Sequence, residues 1–139
     1  MINFYYENNF NLDNESKIRH WIHNVITSES YVLEEINYIF CDDNYLHKIN
    51  LQFLNHDTYT DIITFDNSIK TNIISDIYIS TERVQENAIL YKVDFFDELL
   101  RVIIHGILHL CGYSDKTDDD KKNMRLLENK KIKMFHVEQ

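Results

Sequence analysis

Residues 94–115 read DFFDELLRVIIHGILHLCGYSD, and this stretch decides how the rest of the chain must be arranged. From Phe95 to Leu110 it carries ten large apolar side chains, and a helix this apolar is buried on most of its sides. Apart from Asp97 in the first turn, its charged and histidine residues Glu98, Arg101, His105 and His109 follow at steps of 3, 4 and 4. At about 100° per residue they fall in one narrow stripe. A buried helix with a single polar stripe needs something for that stripe to face.

His105 and His109, four residues apart, bring two imidazoles to the same face within reach of one metal ion, as in many zinc sites. Gly112, three residues on, can take the left-handed conformation that ends a helix and turns the chain back. Asp115, three further, can then return as a third ligand. The pattern His-x-x-x-His-x-x-Gly-x-x-Asp has the pitch of metalloprotease motifs, and three protein ligands leave a fourth position for water, as catalytic zinc sites do.

The chain has two glycines, both in this segment. Gly106 in mid-helix costs about 0.5–1 kcal/mol against alanine, so something must require a missing side chain beside His105; close approach of a neighbouring backbone or of substrate is expected. Peptidases of this pattern carry their general base, a glutamate, directly after the first histidine. Gly106 stands there instead, which argues against peptide hydrolysis. A carboxylate elsewhere, Glu98 or Asp76, is then the candidate base. Cys111 faces away from the histidine stripe, and His20, His23, His47, His56 and His136 lack a comparable partner pattern.

Outward from this helix the pattern predicts strands near residues 2–6, 32–41, 61–65 and 73–79, the last two joined by a turn at Asn67-Ser68. Helices are expected after Asn14 (Ile18, Trp21, Ile22, Val25, Ile26), after Asp42 or Asp43 (Leu46, Ile49, Phe53) and after Ser80 or Thr81 (Val84, Ala88, Tyr91), with Asp94 capping the apolar helix. A last helix from Thr117 has acids in its first turn and bases in its last, in the order that suits the helix dipole. The result is an α+β single domain over residues 1–139, with an approximately four-stranded mixed sheet and about five helices, its metal site on a buried central helix.

Composition narrows the function. The chain has 139 residues, 44% hydrophobic and 27% charged, with no proline and a formal net charge of -9. That suits one globular domain. It lacks a basic segment followed by an apolar block at the N-terminus and any apolar run long enough to span a bilayer, so a cytoplasmic location and no membrane partner are expected. Cys41 and Cys111 read as buried hydrophobes. The acidic balance is opposite to that of a typical nucleic-acid binder, so RNA contact would need a local basic patch. Seven of the 14 Lys and Arg residues lie between Lys116 and Lys133, but acids including Asp118 to Asp120 and Glu128 nearly neutralise them, and the segment reads as a solvated helix face.

HGILHLCGYSD (residues 105–115) resembles the His-Gly-x-Leu-His-Leu-x-Gly-Tyr-Asp-His signature of the YbeY family of bacterial endoribonucleases. TDIITFD (residues 60–66) is similar to that family's Thr-Asp-Val-Leu-Ser-Phe strand, and SDIYIS (residues 75–80) to its Gly-Asp-Ile strand. The resemblance implies one zinc ion per chain on the three-ligand site, single-strand RNA cleavage in maturation of the three-prime end of small-subunit ribosomal RNA, a part in ribosome quality control, and association with the small ribosomal subunit. Two positions depart from the pattern. Asp115 replaces the usual histidine ligand, and Leu54 stands where the family carries an arginine suited to a phosphate, for which His56, Arg83 and Arg101 are the nearest cationic substitutes by sequence. A second reading makes the protein a ribosome-biogenesis binding factor whose metal only holds the helix end in place.

Overall fold

Strand alternation sorts the chain into two faces. In the computed structural model, which describes residues 1–137, the order is β1 (Ile2–Tyr6), α1 (Glu15–Ser28), β2 (Val32–Cys41), α2 (Asp43–Leu54), β3 (Ile62–Asp66), β4 (Asn72–Ser80), α3 (Thr81–Tyr91), α4 (Phe95–Leu110) and α5 (Asp118–Val137). The sheet runs β1-β2-β4-β3. The first three strands are parallel, and β3 lies antiparallel on the edge of β4. Parallel neighbours require crossover connections, which α1 and the α2–β3 segment supply. This is the mixed four-stranded α+β domain expected. Among the described residues no helix is long and apolar enough to cross a membrane.

Ile36, Tyr38 and Phe40 of β2 and Ile73, Ile77 and Ile79 of β4 are buried in one core with apolar residues of α1, α4 and α5. Opposite, α2 packs Leu46 against Cys41 and Ile63 in a smaller cluster. Helix α4 is the centrepiece: Leu99, Leu100, Ile103, Ile104, Ile107 and Leu108 are all within 1% of complete burial. At about 1.5–3 kcal/mol each, their removal from water contributes on the order of 10 kcal/mol.

Several local expectations change. Asn14 precedes α1 but sits in the left-handed region, with no side-chain cap; its main-chain oxygen takes the Ile18 N–H. Asp94 likewise uses its main-chain oxygen, toward Glu98 N–H. Asp42 caps α2 through Tyr45 N–H, and Ser80 caps α3 through Arg83 N–H. Asp43 is thereby free to accept from Ser80 and Arg83, joining the starts of the two helices. The turn after β3 is longer than Asn67-Ser68, reaching Lys70 in the left-handed region before β4 begins. Nor is α5 simply a solvated face. Lys131 is buried, donating to Ser28 Oγ at 3.0 Å and Glu29 Oε2 at 2.7 Å, and Glu128 is buried with it.

Gly106 marks close packing of side chains, not of backbone or substrate. A Cβ there would lie 3.0 Å from Ile62 Cδ1 and 3.1 Å from Thr64 Oγ1, both on β3. These are side-chain ends that can shift by a few tenths of an ångström. Gly106→Ala is therefore expected to lie within about 1 kcal/mol of wild type, since the helix-propensity gain offsets the crowding. Gly106→Val overpacks the α4–β3 contact and is expected to cost about 1–3 kcal/mol. Urea unfolding of both variants checks this, and a valine variant as stable as wild type would show that β3 is not held against the helix.

Candidate metal centre

The polar stripe of α4 faces a cleft bounded by the start of β3, the end of α3, the α4–α5 loop and α5. His105 and His109 lie one turn apart on it. Their Nε2 atoms approach to 2.9 Å, and Asp115 Oδ2 lies 3.3 Å from each. These are the only His, Cys, Asp or Glu side chains among the described residues that gather three such atoms this closely. The triangle has the dimensions of a zinc site. With bonds of about 2.0–2.1 Å in a tetrahedron, neighbouring ligand atoms stand about 3.3 Å apart.

Each histidine is aimed by a partner, and a glycine turn brings Asp115 back to them. After α4, Gly112 takes φ +96°, and the N–H groups of Gly112 and Tyr113 bond back to His109 and Leu108 carbonyls. That left-handed step turns the loop so that Asp115 returns over the histidines. The Tyr113 carbonyl lies 2.8 Å from His109 Nδ1. A carbonyl can only accept, so Nδ1 carries a proton and Nε2 is the nitrogen turned toward His105 and Asp115. Tyr113 is itself moored by its hydroxyl, which donates to Glu29 Oε1 at 2.6 Å, while Lys131 holds the other oxygen. Burial alone would raise the Glu29 pKa, but these two hydrogen bonds outweigh it and hold the carboxyl below its ordinary value.

His105 is fixed from α5. Glu128 Oε2 lies 2.7 Å from His105 Nδ1, and Glu128 Oε1 accepts from Arg101 at 2.8 Å. Burial by itself would disfavour both charges. The bonds prevail, lowering the Glu128 pKa and raising that of His105. A carboxylate on the far nitrogen of a metal-binding histidine sets its tautomer and ring orientation. The sequence reading gave Glu128 no such part.

The remaining candidates separate clearly. Arg101 lines the cleft, tied to Glu128 and Asn129. Glu98 is buried in the same cleft, seven residues before His105 and so about 10 Å away along the helix axis. That is too far for it to serve as a base at the triad. Asp76 is not in the site. It pairs with Asn37 on the sheet face opposite the one bearing Ile77, which α4 covers. Strand alternation turns adjacent residues to opposite faces. Asp61, unassigned from sequence, lines both cavities that meet at the triad, of about 370 and 480 Å³, and burial raises its pKa above the ordinary carboxylate value. Leu54, at the end of α2, lines neither cavity. His56 and Arg83 do not line them either, Arg83 being committed to Asp43 and Glu86. Cations that do line the cleft are Arg101, Lys121 and Arg125.

The family described as Endoribonuclease YbeY matches residues 3–136. Proteins named endoribonuclease YbeY from Flavobacterium johnsoniae and Christiangramia forsetii are 58% and 56% identical, over 100% and 99% of this chain and 100% and 96% of their own lengths. The solution structure of TM1509 from Thermotoga maritima superposes with a TM-score of 0.67 at 27% identity, covering 99% of this chain and 91% of that one. With a family match along nearly the whole sequence and full-length relatives sharing more than half of its residues, this chain belongs to the YbeY endoribonuclease family.

Proposed function

We propose that the protein is a zinc-dependent endoribonuclease that cuts single-stranded RNA, acting in the cytoplasm on the three-prime end of small-subunit ribosomal RNA during maturation and quality control. The observation that carries the metal-dependent part is the convergence of His105, His109 and Asp115 at tetrahedral spacing on one side of an open cleft. The ribosomal target rests on family membership.

His105, His109 and Asp115 would hold a divalent ion, which would supply positive charge and lower the pKa of water for attack near neutral pH. The chain's own residues do the rest. Glu128 and the Tyr113 carbonyl accept from Nδ1–H of His105 and His109, which leaves Nε2 of each ring as the nitrogen directed at the metal position. Asp61, beside His105 and with its pKa raised by burial, is the group we assign to receive the proton of the attacking water. Lys121 and Arg125 flank the cleft and offset the acidic balance of the chain locally, where phosphates must lie. A purely structural metal favours four protein ligands and a closed site. Three ligands beside an open cleft favour catalysis over the binding-factor reading.

The test is zinc content and RNA cleavage on the same samples. Purified protein is expected to hold about one zinc per chain and to cleave single-stranded RNA. Chelation is expected to abolish cleavage, and zinc to restore it. Asp115→Ala is expected to lose both. Cleavage that survives complete metal removal, or full zinc occupancy in Asp115→Ala with unchanged cleavage, overturns the assignment.

A further inference from the structure

The cleft does not end at the triad. It runs along α4 past Arg101 to Glu98, with Asn87 and Tyr91 of α3 on one wall and Arg125 of α5 on the other. We propose that this end is a nucleobase subsite selective for guanine, occupied by a nucleotide adjoining the cleaved phosphate; the proposal rests on the ribonuclease reading and names what part of the RNA is recognised.

Glu98 carries the argument. It is 5% exposed, the cations acting on it are Arg101 and Arg125, and its carboxylate takes part in none of the hydrogen bonds or ion pairs that fix the triad. Arg83 Nε is the one fully enclosed side-chain polar atom without a partner among the described residues, so the Glu98 oxygens open onto the cleft, and the cleft is the space from which a ligand can come. The two Glu98 oxygens can only accept when ionised, so the fitting ligand edge offers two adjacent N–H donors. Among the four RNA bases, guanine alone has that edge, N1–H beside the N2 amino group, flanked by the O6 acceptor. Arg125, in the same part of the cleft, supplies donors for O6. Tyr91, 54% exposed at the rim, offers an aromatic ring on which a base can stack.

Dimensions agree. Glu98 stands about 10 Å along the helix axis from His105, roughly the length of one nucleotide from phosphate to the far edge of its base. The cavity volume of about 370 Å³ falls within the range of small-ligand sites. Single-stranded RNA suits such a slot, because an unpaired base exposes the edge that a duplex hides.

The experiment compares zinc-loaded wild type and Glu98→Gln on oligouridine carrying a single guanosine, adenosine or cytidine, and on oligouridine alone. Wild type is expected to cut at a fixed offset from guanosine, with kcat/KM roughly 10–100-fold above oligouridine, the effect of one bidentate base contact. In Glu98→Gln that ratio is expected to fall to about 3 or less, because the amide replaces one acceptor by a donor. Guanosine-independent cleavage by wild type, or an unchanged ratio in the variant, overturns the subsite while leaving the nuclease reading intact. Titration of the four nucleoside monophosphates, followed by NMR of the tyrosine rings, decides the subsite even if no RNA is cut and the nuclease reading falls. Guanosine monophosphate binding about tenfold more tightly than the others in wild type, and no more tightly in Glu98→Gln, supports it. Equal binding of all four, or none, overturns it. Tyr91→Ala, at an exposed position, is expected to weaken every base by about tenfold through lost stacking.

Discussion

His109→Ala is expected to reduce zinc affinity by about 10²–10³-fold and to remove RNA cleavage with it. Binding free energies for structural zinc are on the order of 10 kcal/mol, shared among the protein ligands, so one ligand in three carries a few kcal/mol. His109 has no substitute nearby: the atoms that close the site with it are His105 Nε2 and Asp115 Oδ2. The fold itself should survive. His109 is only half-buried, and its lost bond to the Tyr113 carbonyl is a neutral one, worth about 0.5–1.5 kcal/mol. Zinc is therefore expected to raise the Tm of wild type, by linkage to binding, and to leave that of His109→Ala nearly unchanged, while the metal-free proteins melt close together. Competition with a chromogenic chelator measures the affinity directly. A His109→Ala protein that takes up one zinc with wild-type affinity would mean that the three-ligand centre is assigned to the wrong atoms.

Much of this site is written locally. The His105–His109 pair, the turn at Gly112 and the return of Asp115 lie within eleven consecutive residues, where helix pitch and the left-handed preference of glycine determine what meets what. The buried helix behind them is equally plain, because its apolar residues outnumber what one face could hold. Long-range partners are harder to read. Asp76 is an attractive carboxylate in sequence, but its side of the sheet follows from the burial of Ile77 beside it, and which face α4 covers is a tertiary fact. Asp61 enters the site because β3 pairs antiparallel at the sheet edge, an arrangement that no local pattern specifies. Helix α5 is the least legible element. Its buried positions Met124, Glu128, Lys131 and Phe135 step by 4, 3 and 4, an ordinary core stripe. Two of the four are charged, so a reading that counts only apolar residues misses it. Met124 and Phe135 at that pitch are the signal from which the inward course of Glu128 can be found.

That inward carboxylate carries the second large expectation. Glu128 joins α5 to α4 by accepting from Arg101 at 2.8 Å through one oxygen and lying 2.7 Å from His105 Nδ1 with the other, and its side chain is 7% exposed. Glu128→Ala strands both donors. Removing one member of a buried charged pair costs about 3–5 kcal/mol, and the lower end applies because Arg101 keeps its bond to Asn129 and borders the cleft. Without the carboxylate His105 loses the partner that fixes its ring and tautomer, so zinc affinity should fall about 10–100-fold. Glu128→Gln separates the two effects. Its carbonyl oxygen can serve only one of the donors, while its NH2 group opposes the other. Stability should drop by nearly as much as in the alanine variant, with zinc weakened by about tenfold if the carbonyl stays with His105. Unlike His109→Ala, both variants should still reach one metal per chain at saturation, because all three ligands remain. The cobalt-substituted proteins give a readout that a merely structural residue would leave alone: an altered visible spectrum at full occupancy reports a changed ligand field at His105. Wild-type affinity together with an unchanged cobalt spectrum in Glu128→Ala would show that His105 is aimed by its helix alone, and that Glu128 serves only to pin α5 against α4.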